Sequence, residues 1–270
     1  MRHSKLIKYL NQILFIIICL VLIFLGNGFY EKALINKKIE DFKARAVYIG
    51  DDKIRANVYY YKVLKKYDYE DTSRNTFDIQ RRIIGSKTDI IITNRNPMRG
   101  VLILDPIVGF LAHNFFLGHS TINSTDDGSK IIEVLGNTGN PEWDRVLENY
   151  NDWMLIEDSL QEKSESPIII GLRVKGTTAS QRDKMIEYAR KQIGKGYNYT
   201  FLFNRINTFY CSDLVSRSIK HGGINVNYDH FVTTGNDMIL SKNTYIFFLR
   251  ETIIVDGEKI FNVYFLDDEL

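Results

Sequence analysis

The strongest constraint on this chain lies in residues 9–30, where 22 consecutive positions carry no charge and residues 13–25 form an unbroken apolar run. At about 1.5 Å of helical rise per residue, about 20 such residues cover a hydrocarbon core of about 30 Å. A helix that is apolar all round must be buried in protein, cross a bilayer or be removed. The flanks favour crossing. Arg2, Lys5 and Lys8 precede the run, and Tyr9, Phe29 and Tyr30 stand where aromatic rings settle at membrane interfaces. A cleaved signal peptide is the alternative, with its exit at Gly26-Asn27-Gly28, but no Ala-x-Ala pattern is present there. Cys19 follows the bulky Ile18 in mid-run and has no lipoprotein context. The expectation is a basic flank (1–8), then a single-pass signal anchor (9–30). With the N-terminus inside, the remainder is extracytoplasmic.

Charge is informative once the anchor is set aside. The chain holds 35 Lys and Arg against 33 Asp and Glu, and the three basic residues of the flank account for the excess. The body is therefore close to neutral, which makes it a poor electrostatic partner for nucleic acid. A 44% hydrophobic content and only four prolines fit a packed globular body rather than a disordered one. Two cysteines, 192 positions apart, build neither a disulfide framework nor a Cys-rich metal site.

Residues 31–85 are charged and aromatic. Phe42, Ala46 and Ile49 suggest a helix leaving the membrane, and residues 58–64 a second, so this segment reads as a helical stalk or N-terminal extension. From residue 86 the pattern changes. Residues 89–93, 101–104, 119–123, 130–135 and 168–174 read as short strands, with Asp126-Asp127-Gly128 as a hairpin turn. Residues 178–193 and 211–220 read as helices, stopped by Gly194 and by Gly222-Gly223. Residues 245–249 and 263–266 complete the strands. The fold class is α+β.

The chemistry centres on Cys211, within Phe209-Tyr210-Cys211-Ser212-Asp213-Leu214-Val215 at the expected first turn of a helix. Unpaired N–H groups and the macrodipole stabilise an anion at such a position, lowering a thiol pKa and offering an oxyanion site. Ser212, beside it, is a candidate oxyanion or substrate donor. A cysteine nucleophile needs a base. His3 precedes the apolar run, and His221 and His230 flank loops, leaving His113 and His119. His119 is preferred because it follows Gly118 at a strand mouth, where the backbone can approach another element closely. A third group should orient the imidazole. Glu133 lies on a strand apolar on both faces, and the hairpin brings it towards His119.

Gly118-His119, then Ile131-Ile132-Glu133, then Tyr210-Cys211-Ser212-Asp213-Leu214-Val215 resembles, in order and content, the permuted papain-like branch of the NlpC/P60 superfamily. Within it the pattern is similar to the YiiX/YebB-like group of cysteine hydrolases. Thr88-Asp89-Ile90-Ile91, Gly194-Lys195-Gly196-Tyr197-Asn198 and Asn236-Asp237-Met238 support the likeness, which covers residues 86–245. It implies a permuted papain-like domain over 86–270, a small antiparallel sheet or barrel packed on helices. Cys211 is then nucleophile, His119 base and Glu133 the orienting residue, with Tyr197 assisting near the site. Thr88 stands where the family usually has glycine, and Asp213 where glutamate is commoner.

The implied reaction is cysteine amidase or peptidase chemistry through a thioester, without cofactor or metal. The alternatives are a lipid-directed thioesterase or acyltransferase, and a membrane-anchored binding module without turnover. Substrates are accordingly a peptide, an amide or a lipid-like acyl group. Gly118-His119-Ser120 lacks the closing glycine of a serine-hydrolase elbow, and no His-Glu-x-x-His or P-loop pattern occurs.

Overall fold

The computed structural model describes residues 2–96, 106, 109–112, 118–136, 138–154, 168–201, 205–228 and 232–268. The strand expected at 101–104, His113 and His230 lie outside this set. The described elements begin with helix α1 (Arg2–Lys43), then strands β1 (Ala46–Asp51), β2 (Val58–Leu64), β3 (Phe77–Asp78), β4 (Ile83–Ile84) and β5 (Ile90–Thr93). There follow β6 (His119–Asn123), β7 (Lys130–Val134), β8 (Val146–Tyr150), β9 (Ile169–Val174), helix α2 (Ala179–Arg190), β10 (Gly196–Tyr197) and β11 (Thr208–Phe209). Helices α3 (Cys211–His221) and α4 (Gly235–Leu240) lead to the long hairpin β12 (Thr244–Val255) and β13 (Glu258–Asp267).

Nine strands form one sheet in the order β1-β2-β13-β12-β9-β5-β6-β7-β8. Every neighbouring pair is antiparallel except β2 and β13, which run parallel. The expected small antiparallel sheet or barrel is thus corrected to a large, mixed and open sheet, with β1 and β8 at its edges. The helix expected to leave the apolar run is found through Phe42, but Ala46 and Ile49 lie in a strand, and the helix expected over 58–64 is corrected to a strand. Helix α1 ends at Lys43, and β1 and β2 follow it. In β2, Val58, Tyr60 and Val63 are buried, and Tyr and Val favour a pleated, half-buried surface once β13 supplies a partner.

Helix α1 changes character along its length. An 18-residue window has a mean hydropathy of 2.6, and its side chains are exposed all round, Phe15 and Ile23 by about two thirds. From Gly28 onward a buried stripe appears at Gly28, Glu31, Ile35, Ile39 and Phe42, the three-to-four spacing of one helix face. That face packs on α4 and β12. Glu31 accepts from Asn27 Nδ2 and from Asn236 Nδ2, each at 2.8 Å, and Lys38 Nζ donates to the Ile239 carbonyl at 2.8 Å.

The segment before β5 is tied down by Arg173, which is fully buried in β9. Its guanidinium donates to both Asp89 oxygens (2.9 and 2.6 Å), to the Asn75 carbonyl (2.6 Å) and to the Asp71 carbonyl. A buried ion pair persists only when its remaining donors are satisfied, as here. Thr88, next to Asp89, has φ +71°, a left-handed conformation that a β-branched residue adopts only under strain. The glycine usual at this position in the resembled family would relieve that strain.

Candidate active site

Helix α3 begins at Cys211 with Tyr210 as N-cap in extended conformation and without a side-chain cap. Its first-turn N–H groups therefore keep their anion-stabilising capacity. Leu214, Val215, Ser218 and Ile219 are buried along one face and fix the helix against the body. The thiol is 7% exposed, and Cys211 Sγ lies 3.7 Å from the Gly118 carbonyl. The residue preceding the histidine thus meets the nucleophile directly.

Gly118 can be nothing else. A Cβ built on it would stand 1.9 Å from the Thr93 carbonyl and 2.9 Å from that of Arg95. The chain enters β6 pressed against the end of β5, and only a residue without a side chain fits. His119 follows on this fixed backbone. Its Nε2 is 2.7 Å from Glu133 Oε2. In the β6–β7 register Ile122 faces Ile132, so Glu133 is a same-face diagonal neighbour of His119. A carboxylate only accepts, so Nε2 carries the proton and the Nδ1 lone pair of the neutral ring is left for the thiol. The imidazole and the thiol lie close enough for each to favour the other's charged form.

All three groups shift in a consistent direction. Burial pushes the Cys211 thiol up, but the imidazole hydrogen bond and charge, with the Ser120 backbone N–H, bring it below its usual value. Burial pushes His119 down, and its bonds to Cys211 and Glu133 outweigh this and raise it. Burial raises Glu133, while His119 and Asn149 together hold it below the ordinary glutamate value. The arrangement favours thiolate, imidazolium and carboxylate at once.

Two neighbours were not read from the sequence. Asn149 Nδ2 on β8 donates to Glu133 Oε1 at 2.7 Å, so both carboxylate oxygens are held. The Trp153 ring, buried, lies 5.6 Å from the imidazole at 39° and walls it. Leu147 stands opposite Glu133, and Asn149 is two residues further along the same face.

The structure separates the two remaining candidates. Tyr197 is buried, near enough to Cys211 for a thiolate charge to act on its phenol. Its ring occupies the space where a Cβ on Gly136 would fall (2.6 Å), and burial and then the Cys211 charge raise its phenol. Ser212 Oγ instead donates to the Thr233 carbonyl at 2.7 Å. The Ser212 hydroxyl expected as an oxyanion donor is therefore spent on bracing, because it points along the helix flank towards the loop before α4. His221 stacks on Tyr188 (4.9 Å) at the far end of α3. Among the described residues no group of three or more His, Cys, Asp or Glu side chains is placed to hold a metal ion.

Residues 155–243, which contain Tyr197 and Cys211, match a family described as permuted papain-like amidase enzyme, YaeF/YiiX, C92 family. The match covers about a third of the chain and leaves His119 and Glu133 outside it. No curated protein matches the chain. Among solved structures, the metalloprotein YiiX from Escherichia coli O157:H7 aligns with 60% of this chain and 95% of its own, at 15% identity and a TM-score of 0.42. The likeness to the permuted papain-like YiiX group expected from the sequence is thus found, and the matched family is one of hydrolases.

Proposed function

We propose that this chain is a membrane-anchored cysteine hydrolase that cleaves an amide or related acyl bond through a thioester on Cys211. The observation that carries the reading is a thiol at a helix start against the Gly118 carbonyl, beside an imidazole whose Nε2 is bonded to Glu133, with thiol and imidazole favouring each other's charged forms. His119 Nδ1 takes the thiol proton, and the thiolate attacks the acyl carbon. The α3 N–H groups, with Tyr197 at hand, receive the developing oxyanion. Imidazolium then returns its proton to the leaving amine or alcohol as that bond breaks. Water, deprotonated by His119, attacks the thioester, and the acid departs as the thiol is restored.

An amine or alcohol in place of water would make the same site an acyltransferase. The apolar helix favours a lipid-directed variant of this chemistry over a soluble peptide substrate. It supports anchoring rather than a cleaved signal, since α1 runs unbroken through Gly26-Asn27-Gly28 into the stripe that packs on the body. On this reading residues 9–30 cross the bilayer once and 86–270 form the hydrolase domain, with β1 and β2 completing its sheet. The test is a thiol-reactive acyl probe applied to membranes carrying the wild type or Cys211→Ser. Covalent labelling and turnover of the wild type alone support the enzyme. A Cys211 that resists every probe in the folded protein would leave a binding module.

A further inference from the structure

We propose that Ser120 is a further catalytic residue, donating from its hydroxyl and its backbone N–H to the Cys211 sulfur whenever that sulfur carries negative charge. The inference rests on the cysteine-hydrolase reading above and adds a residue to it.

The course of the backbone comes first. Asn123 N donates to the Asp89 carbonyl, towards β5, and Ser124 N to the Lys130 carbonyl, towards β7, each at 2.8 Å. Successive residues of an antiparallel strand turn their N–H groups to opposite sides, so Ile122 and Ser120 turn theirs towards β7 as Ser124 does. Ile122 finds Ile132 there, but among the described residues β6 and β7 pair nowhere nearer His119. The Ser120 N–H therefore opens on the gap where the two strands part. The nucleophile lies at this margin. The carbonyl of Gly118, two residues before Ser120, meets Cys211 Sγ at 3.7 Å, and the Ser120 N–H favours the thiolate.

The side chain adds a second donor. Ser120 is 2% exposed, and its Oγ has no hydrogen-bond partner. A buried hydroxyl without a partner is costly, and beside a nucleophile the cost is met by a charge that exists only during the reaction. Side chains alternate along β6, so Ser120 leaves the strand on the face opposite to His119. The sulfur at the strand margin then has the imidazole on one side and the hydroxyl on the other. After the imidazole and the N–H, the Ser120 hydroxyl is the next group favouring the thiolate. Ser212 has no such freedom, since its hydroxyl is held by the Thr233 carbonyl.

Sulfur is anionic twice in the reaction. It is so before the attack on the acyl carbon. It is so again when water, deprotonated by His119, adds to the thioester and the C–S bond breaks with its electron pair going to sulfur. The imidazolium returns the water proton to that sulfur, and Ser120 keeps its own proton throughout. Donors that hold charge in place in this way stabilise the departing sulfur without entering the proton count.

The test uses the full chain in phosphatidylcholine vesicles, in a Cys19→Ala background that leaves Cys211 as the sole thiol. Among the described residues the titratable groups facing the sulfur are His119 of β6, backed by Glu133 of β7, and the phenols of Tyr197 in β10 and Tyr210 before α3. Burial first, and then nearby negative charge, pushes both phenols above the ordinary tyrosine value, so His119 alone changes charge with the thiol. Ser120→Ala should raise the pH midpoint of iodoacetamide alkylation by about one unit. With p-nitrophenyl acetate above that midpoint, the burst of nitrophenolate should keep its amplitude while steady turnover falls about tenfold. Ser120→Thr, which restores a hydroxyl, should recover both. An unchanged midpoint in Ser120→Ala, or an equal rise in Ser120→Ala and Ser120→Thr, would overturn the inference and leave the hydrolase reading intact. A Cys211 inert to both reagents with Ser120 in place would overturn the hydrolase reading, and this inference with it.

Discussion

Replacing Glu133 by glutamine removes a charge from the site while keeping the size of the side chain. The side chain keeps its shape and one oxygen, which can still accept from His119 Nε2, while its amide nitrogen takes the place of the oxygen that accepts from Asn149, whose own amide must turn to offer its oxygen. The interaction lost is the charge component of a 2.7 Å hydrogen bond between little-exposed groups. A hydrogen bond to a charged group contributes about 1.5–3 kcal/mol, and about 1.36 kcal/mol corresponds to one pKa unit. Imidazolium should therefore become less stable by about one to two units. Because the thiolate exists as the partner of that imidazolium, the pH midpoint for Cys211 alkylation should rise by the same amount. The assay is the rate of iodoacetamide reaction against pH in a Cys19→Ala background, where Cys211 is the sole thiol. Asn149→Ala should move the midpoint much less, since the carboxylate retains its charge. A Glu133→Gln midpoint unchanged to within about 0.3 units would mean that the carboxylate does not reach the thiol through the imidazole, and the reasoning would be refuted.

Three further outcomes are expected. Gly118→Ala would drive a methyl into the Thr93 carbonyl, so thermal unfolding should fall and Cys211 reactivity drop with it; a stable, reactive variant would contradict the close approach. Thr88→Gly should raise Tm by about 2–4 °C, since it relieves a left-handed β-branched residue at a net gain of about 1 kcal/mol, and a lowered Tm would show the strain argument wrong. Glu133 is held below its ordinary value in the fold, so its stabilising contribution is complete above about pH 4.3, the unfolded value, and is lost as pH falls through the folded one. The urea-unfolding gap between wild type and Glu133→Gln should accordingly narrow in acid, and a gap independent of pH would exclude this linkage.

The parts of the site legible in the sequence were those fixed by local pattern. Cys211 at a helix start, Gly118 at a tight approach and the turn at Gly128 each announce themselves within a few residues. Glu133 could be placed beside His119 because the hairpin joining them is short. Asn149 left no such signal. Strand β8 is an edge strand of mostly half-buried, partly polar residues without a clean alternation, so neither it nor its place beside Glu133 could be read. Strand β2 failed for a different reason. Its partner β13 lies at the other end of the chain, and a Tyr-rich segment without a known partner fits a helix as readily as a strand. Helix α4 is too short for periodicity to reveal, and its role in gripping α1 depends on Glu31, far away in sequence.

The pairing of β2 with β13 has a consequence for how the protein is made. Some 200 residues must emerge after β2 before its partner exists, which at 5–20 residues per second is a wait of about 10–40 s. Throughout that interval Ile35, Ile39 and Phe42 have no complete body to pack on. The nascent chain is then an unfinished sheet with an unpaired Tyr-rich strand, and non-local pairing of this kind closes slowly. Chaperone demand should therefore peak late in synthesis, and truncation before β13 should leave β2 without its partner.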